Sequence, residues 1–227
     1  MRLARRRANP RSRLAGSVRV IAFSRHCLLA IALAASALVP APALQAQEVV
    51  VNFDPAATQV EFTLGATLHT VHGVFKLKSG QIHFDPATGK AGGVIVLDAT
   101  SGNTGNSSRD QKMHGEILES AKFPEIAFSP ARVMGPAADM LAGKPVQLQI
   151  AGVFHLHGQD HPMTIPVSVA PASGQGQPNR LQASTKFDVP FIQWGLKNPS
   201  TFVLRVSDTV NIEIDSTLQL SRPNANR

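Results

Sequence analysis

The sequence predicts an all-β protein, an antiparallel up-and-down barrel of about eight strands with one short helix near one end. Apolar and polar residues alternate through most of the chain after residue 47, and no helices alternate with the strands as they do in parallel sheets. One stretch alone has helical spacing, SSRDQKMHGEILESAKF at residues 107–123. A β-sandwich would show the same alternation. We favour the barrel because no set of helices is available to cover the apolar faces, and because closing a sheet removes its edges.

The first 46 residues are predicted to be a secretory signal peptide. They contain eight arginines and no acidic residue, and they end with the apolar run CLLAIALAASALVPAPALQA. A basic start, an apolar middle and small residues before the cleavage site are typical of such signals. The apolar core is short for a membrane span, which needs about 20 residues. We place cleavage after Ala46, with cleavage after Ala43 as the alternative, and expect a periplasmic or secreted protein.

The basic character of the whole chain belongs to this leader. Without residues 1–46, 14 of the 22 basic residues remain beside all 15 acidic residues, so the formal charge changes from +7 to −1. A nearly neutral domain without a basic cluster lacks the electrostatic features of a nucleic-acid-binding protein. The one cysteine, Cys27, also lies in the leader. The exported chain is therefore expected to have no disulfide and no thiolate metal site.

The remaining chain has the length of one domain. We predict a barrel over residues 47–220 and a flexible tail over residues 221–227. The predicted strands, in chain order, are residues 59–64, 71–77, 80–85, 94–99, 125–129, 146–157, 163–169, 181–187 and 210–218. Short turns join them, such as PATGK at residues 86–90, whose composition predicts a hairpin.

Alternation along these strands assigns one apolar face to the barrel interior. A barrel of about eight strands holds either packed side chains or one small ligand. The inward positions mix large and small residues, which leaves the two alternatives equal. The predicted lining of a lumen is Val60, Phe62, Leu64, Phe75, Ile82, Phe84, Ile95, Leu97, Ile126, Phe128, Phe154, Leu156, Met163, Ile165, Phe187, Ile212 and Ile214.

The helical stretch is predicted to lie across one open end of the barrel. Ser107 and Asp110 have the spacing of a capping box, with Asp in the less usual position. Met113, Ile117 and Leu118 form a narrow apolar stripe that needs an apolar surface to cover. A short amphipathic helix cannot enter the sheet, so the end of the barrel is the natural place for it.

Several motifs, in this order, resemble the YceI-like family of polyisoprenoid-binding proteins. They are Asp54-Pro, Val71-x-Gly-x-Phe75, Gly80-x-Ile-x-Phe-Asp85, Thr104-Gly-Asn106, Asn106-Ser-Ser-Arg-Asp110, Phe123-Pro-Glu-Ile-Ala-Phe128, Leu156-His-Gly158, His161-Pro162 and Trp194-Gly-Leu-Lys-Asn-Pro-Ser200. The resemblance covers about residues 50–220. It implies a lipocalin-like barrel whose long apolar pore holds an isoprenoid or fatty chain, and it favours an open lumen over a filled one.

On this basis we expect an exported binding protein, not an enzyme, that sequesters or carries a long apolar chain. The ligand would be a polyisoprenoid, an isoprenoid quinone or a fatty-acid-like lipid, and no other cofactor is expected. Arg109 and His114 are candidates for binding a head group, although an ion pair with Asp110 or another carboxylate is an alternative use of Arg109. Delivery of a quinone would add transient contact with a membrane or a membrane redox protein. The oligomeric state stays open.

The segment HLHGQDH offers an alternative function, a metal-assisted hydrolase that uses His155, His157 and His161. Zinc catalysis needs three protein ligands in a defined geometry. Alternation places His155 and His157 on the strand face opposite Phe154 and Leu156, away from the lumen. We therefore expect a solvent-exposed pair and no metal site.

Overall fold

A computed structural model describes residues 48–172, 179–200 and 205–221. The predicted signal peptide lies outside the described residues, as do residues 222–227 of the predicted tail. Within the described residues, no helix has the length and hydropathy needed to cross a membrane.

Eight strands form a closed antiparallel barrel, as predicted. Each strand pairs with the next along the chain, and the last pairs with the first. The strands are β1 (Val49–Ala66), β2 (Thr70–Phe84), β3 (Ala91–Asn103), β4 (Glu125–Met134), β5 (Val146–Leu156), β6 (Gln159–Pro171), β7 (Arg180–Val189) and β8 (Val206–Ser221). The strands predicted at 71–77 and 80–85 are the two halves of β2.

Irregularities in β1 and β2 change which residues face inward. The pairing of β1 with β2 shifts register between Asn52 and Val60, and the pairing of β2 with β3 shifts between Leu77 and Ser79. Odd-numbered Val51 is buried before the shift in β1, whereas even-numbered Val60 is buried after it. A bulge inserts an extra residue and so exchanges the two faces of a strand.

Two helical segments lie between strands. The first is α1 (Ser107–Lys112), which continues directly into a π-helical turn, Met113–Ile117. We call residues 107–117 the cap helix. The second, α2 (Ala137–Leu141), was not predicted; its five residues are too few to show helical periodicity.

The predicted capping box is wrong. Asn106 is the N-cap, and its side-chain oxygen accepts a hydrogen bond from the backbone N–H of Arg109 at 3.0 Å. Asn is among the strongest N-cap residues, so the helix begins one residue earlier than predicted and Ser107 does not serve as the N-cap. Asp110 turns back instead, and its Oδ1 accepts hydrogen bonds from the backbone N–H of Thr104 at 2.9 Å and from the Thr104 hydroxyl at 2.6 Å. The carboxylate therefore joins the helix to the loop that follows β3.

The core divides into two clusters, one towards each end of the barrel. The cluster at the α2 end contains Val49, Val51, Ile82, Phe84, Val133, Ala137, Met140, Leu148, Val169, Leu181, Ala183, Leu218 and Leu220. The cluster at the cap end contains Val60, Leu77, Leu97, Ala99, Ile126, Phe128, Phe154, Leu156, Ile165, Phe187, Val189, Phe191 and Leu196. Ile117 at the end of the cap helix and the next residue, Leu118, pack against it; we call residues 107–123, the cap helix with the turn that follows it, the cap region.

Candidate ligand-binding site

The barrel encloses a cavity of about 490 Å³, within the range of about 300–1,000 Å³ for small-molecule sites. Its border runs from Arg109 and Lys112 at the cap end to Met140 at the α2 end. On β8 the border extends from Val206 to Leu218. That stretch of strand is about 40 Å long at about 3.3 Å per residue, or about 30 Å along the axis of a barrel whose strands tilt by about 40°. The cavity is therefore elongated.

The cavity border is almost wholly apolar. Sixteen of the seventeen residues predicted to line a lumen border this cavity. The exception is Met163, which is half-buried and packs against the core cluster at the cap end. The four hydroxyl side chains from β1, β7 and β8 at the border are Thr58, Ser184, Thr185 and Ser216. Two of them, Thr58 and Ser216, bond to each other at 2.7 Å.

Several lining residues were not predicted. Val51 and Phe53 belong to the first part of β1, where VVVNFD alternates and could have been read as a strand. Met140 comes from α2, for which the sequence carries no periodic signal. Others lie just beyond the predicted strands, such as Val206 and Val189. Strand ends are harder to predict than strand centres because the alternation is weakest there.

The cap helix covers the lumen as predicted. Met113, Ile117 and Leu118 all border the cavity. Yet none of residues 107–117 is buried. Ile117 and Leu118 of the apolar stripe also pack against the core cluster at the cap end, so the stripe lies between packed side chains and the cavity and is only partly buried.

The two head-group candidates have different roles. Arg109 borders the cavity, and it donates hydrogen bonds from Nε to the Thr104 hydroxyl at 2.7 Å and from Nη2 to the Thr104 carbonyl at 2.9 Å. The alternative ion pair between Arg109 and Asp110 is not formed, because both side chains bond to Thr104. His114 does not border the cavity. Its Nδ1 lies 2.9 Å from Ser120 Oγ and its Nε2 lies 2.8 Å from the Gly102 carbonyl, so the ring anchors the cap helix.

The histidines of HLHGQDH do not converge. His155 Nδ1 lies 2.7 Å from Asp160 Oδ1, on an exposed surface as predicted. His157 is less exposed than predicted, because its Nε2 lies 2.7 Å from Glu119 Oε2 and its ring packs 4.3 Å from that of Phe123. In the part of the chain that the structure describes, no three His, Cys, Asp or Glu side chains are grouped as a metal site would require.

His161 packs against the loop that follows β7. Its ring stacks on Trp194 with centroids 4.0 Å apart and planes inclined by 4°. Its Nε2 is buried without a hydrogen-bond partner among the described residues. Burial lowers the pKa of His161, because a buried charged imidazolium loses its hydration. The neutral ring is therefore the favoured form.

Comparison with known proteins identifies the fold family. A family model described as the YceI-like domain matches residues 52–218. Among solved structures, BcnA of Burkholderia cenocepacia is 18% identical, with a TM-score of 0.57 over 73% of this chain and 98% of that chain. A polyisoprenoid binding domain from Saccharophagus degradans, described as implicated in plant cell wall breakdown, is 15% identical, with a TM-score of 0.55 over 75% of this chain and 98% of that one.

A third solved structure, the YCEI protein of Campylobacter jejuni, is 17% identical, with a TM-score of 0.51 over 70% of this chain and 88% of that one. At these identities the likeness concerns the fold. No curated protein matches the sequence significantly.

Proposed function

This chain belongs to the YceI-like family, and from that premise we propose that it binds a long apolar chain in the barrel lumen and is not an enzyme. The elongated apolar cavity of about 490 Å³ carries this proposal. The ligand is a polyisoprenoid, an isoprenoid quinone or a fatty-acid-like lipid. The relative from Saccharophagus degradans, described as a polyisoprenoid binding domain, supports this class of ligand.

Burial of the chain supplies the affinity. Each CH₂ group removed from water contributes about 0.8 kcal/mol, so a five-carbon isoprene unit contributes about 3–4 kcal/mol before opposing terms. The loss of translational and chain freedom offsets part of this gain. A long chain therefore stays bound without polar contacts along its length, in agreement with the scarcity of polar side chains at the border of the lumen.

We also propose that the protein works outside the cytoplasm. The basic and apolar leader at residues 1–46 supports export to the periplasm or the medium. Because lipids of this kind reside in membranes, loading requires transient contact with a membrane. If the ligand is a quinone, unloading would involve a membrane redox protein.

The test is to produce the full chain, including residues 1–46, in a Gram-negative host. The protein is then isolated from the periplasm and analysed by native mass spectrometry and organic extraction. We expect a mass that corresponds to cleavage after Ala46, plus a stoichiometric apolar ligand in the extract. A full-length cytoplasmic product would contradict export. A ligand-free barrel that takes up no added long-chain lipid would contradict the binding function.

A matched pair of variants separates lumen binding from surface adhesion. Ile214→Asn places an amide in the lumen, where Ile214 borders the cavity and is half-buried. Gln219→Asn changes an exposed residue on the same strand. We expect Ile214→Asn to reduce the bound lipid and Gln219→Asn to leave it unchanged. Equal binding in both variants would place the lipid outside the lumen.

A further inference from the structure

The cap end of the cavity carries positive charge that no acidic residue on its border offsets. Arg109 and Lys112 border the cavity there, together with the imidazole of His69. Among the described residues that border the cavity, none is Asp or Glu. The border at the α2 end is formed by apolar residues such as Met140, Leu148 and Leu181. The lumen is thus polarised from one end to the other.

The guanidinium of Arg109 is held in place with donors to spare. Its two hydrogen bonds to Thr104 use two of its five N–H groups. The described part of the chain provides no acceptor for the other three. Arg109 is half-buried at the border of the cavity, so an anionic acceptor placed there would bind strongly.

Lys112 lies one turn further along the same helix, on the same face as Arg109 because residues three apart are neighbours on a helix surface. Its one hydrogen bond to the described residues is a long contact of 3.5 Å from Nζ to the Pro199 carbonyl. Pro199 also borders the cavity. Both cations are therefore available at the same mouth.

The carboxylates nearest to these cations in sequence have other partners. Asp110 accepts both hydrogen bonds from Thr104 through Oδ1. Glu116 forms an ion pair with Lys197, and the hydrogen bond from Lys197 lowers the pKa of Glu116 below its usual value. The positive charge of Lys112 also contributes to the lowered pKa of Glu116, but neither carboxylate lies within ion-pair distance of Arg109 or Lys112.

We propose that the ligand is an anionic amphiphile whose carboxylate or phosphate head binds Arg109 and Lys112 while its chain fills the lumen. This inference rests on the proposed function, which supplies the chain. An arginine fork binds the two oxygens of such a head in a bidentate manner, and the half-buried setting strengthens the attraction. A neutral head, such as an alcohol or a quinone, gains less. A cationic head is repelled.

The test compares ligands that share one chain and differ in the head. Hexadecanoate, hexadecyl phosphate, hexadecanol and hexadecyltrimethylammonium are titrated into the delipidated protein below their critical micelle concentrations. We expect the two anions to bind about tenfold or more tighter than the alcohol, since hydrogen bonds to charged groups are the strong ones. The two anions also show whether the site prefers carboxylate or phosphate. Added salt should weaken binding of the anions and leave that of the alcohol unchanged.

Lys112→Met tests the site and Lys144→Met serves as the control. Lys144 lies at the α2 end, where it is exposed and paired with Asp139. We expect Lys112→Met to lower the affinity for the anions about tenfold and to leave the affinity for hexadecanol unchanged, and Lys144→Met to change neither. Equal affinities for anion and alcohol in the unmodified protein would overturn the head-group inference and leave the proposed function intact. Failure of every probe to bind would overturn both.

Discussion

The two ends of the barrel are closed in different ways. At the α2 end, Ala137 and Met140 of α2 are buried, and Val49, Phe84 and Leu181 retain only 1–3% of their exposure. At the cap end, a helix of twice the length contains no buried residue. Helix length therefore does not decide how tightly an end is closed. Both helices border the same cavity, through Met140 on α2 and through Met113 and Ile117 on the cap helix, so the two ends differ in how far their helices are buried.

The two ends are therefore expected to differ in their contributions to stability and to opening of the barrel. Both ends contain tightly packed wall residues, since Val60, Ala99 and Val189 at the cap end are 1–2% exposed, but α2 is itself part of the packing, which is a source of stability. The cap end has a half-exposed apolar stripe and two cations, and we expect it to open more readily than the α2 end. Regions that move for function are drawn from the less stable parts of a fold. Substitutions at each end test whether the two ends differ in this way.

The largest expected effect is on stability at the α2 end. Phe84→Ala removes a ring with 2% exposure, and truncation of a buried Phe costs about 3–5 kcal/mol. Phe75, nearer the cap end, is half-buried and packs 5.2 Å from the ring of Phe62. We expect Phe75→Ala to cost less than half as much in urea unfolding of the lipid-free protein. Equal losses would show that the ring of Phe75 is packed as tightly as that of Phe84.

The second effect is on the length of chain that the lumen holds. Ala183 borders the cavity within the cluster at the α2 end, so Ala183→Phe should fill the deep part of the lumen. Each CH₂ excluded costs about 0.8 kcal/mol, so loss of four of them lowers affinity by about two orders of magnitude. The affinity for short-chain ligands should be unchanged. The measurement is the affinity of Ala183→Phe for a series of ligands of increasing chain length, with Gln182→Phe on the outer face as the control. If the longest chain that still gains affinity is the same in Ala183→Phe as in the unmodified protein, the deep lumen is contradicted.

The third effect concerns the end of the cap region. Glu119 and His157 bond to each other, and both have the left-handed backbone that is uncommon for residues other than glycine, with φ of 44° and 53°. Glu119→Ala removes the bond and keeps the same backbone requirement. We expect hydrogen exchange of residues 113–118 to rise about two- to fivefold, which corresponds to a loss of about 0.5–1 kcal/mol.

Glu125→Ala is the matched control for this experiment, since it breaks the exposed ion pair with Lys78 on the barrel wall. It should leave exchange in the cap helix unchanged. Equal acceleration in the two variants would show that the bond between Glu119 and His157 does not hold the cap region in place.

The smallest expected effect is on pH dependence at the cap end. Burial lowers the pKa of His161 in the folded protein, so below the ordinary value of about 6.5 the unfolded chain binds more protons than the folded one. The contribution of His161 to stability is thus present above about pH 6.5 and is lost as the pH falls towards its folded pKa. His161→Phe keeps a ring against Trp194 and removes the titration. Between pH 7 and pH 5 the free energy of unfolding should fall less in this variant than in the unmodified protein. An identical decrease in both would show that His161 does not contribute to the pH dependence of stability.

Alternation predicted the strands and their inward faces because the period of a strand is two. The lack of helices to cover those faces favoured the barrel over a sandwich. Ile126 with Phe128, and Phe154 with Leu156, were assigned to the lumen by alternation, and both pairs border the cavity. The stripe of Met113 and Ile117 likewise predicted what the cap helix would cover. These patterns are local, so a single stretch of chain is enough to determine them.

The role of His114 was not predictable in this way. Its partners are Ser120 and the Gly102 carbonyl, and the latter lies in β3, before the loop that leads into the cap helix. Sequence alone showed a histidine on a helix near an opening. In the folded loop the His114 ring holds the cap helix against β3. Lys112, rather than His114, therefore lies with Arg109 at the border of the cavity.

Local patterns were thus enough to predict the strand order, the inward faces of regular strands and the presence of a covering helix. The arrangement of the whole barrel was needed to show that the interior is hollow, that α2 contains buried residues whereas the cap helix does not, and that the cations share one mouth. These features depend on interactions over different distances along the chain. Alternation and capping depend on neighbours along the chain, whereas a cavity depends on how side chains from all eight strands fill the same volume.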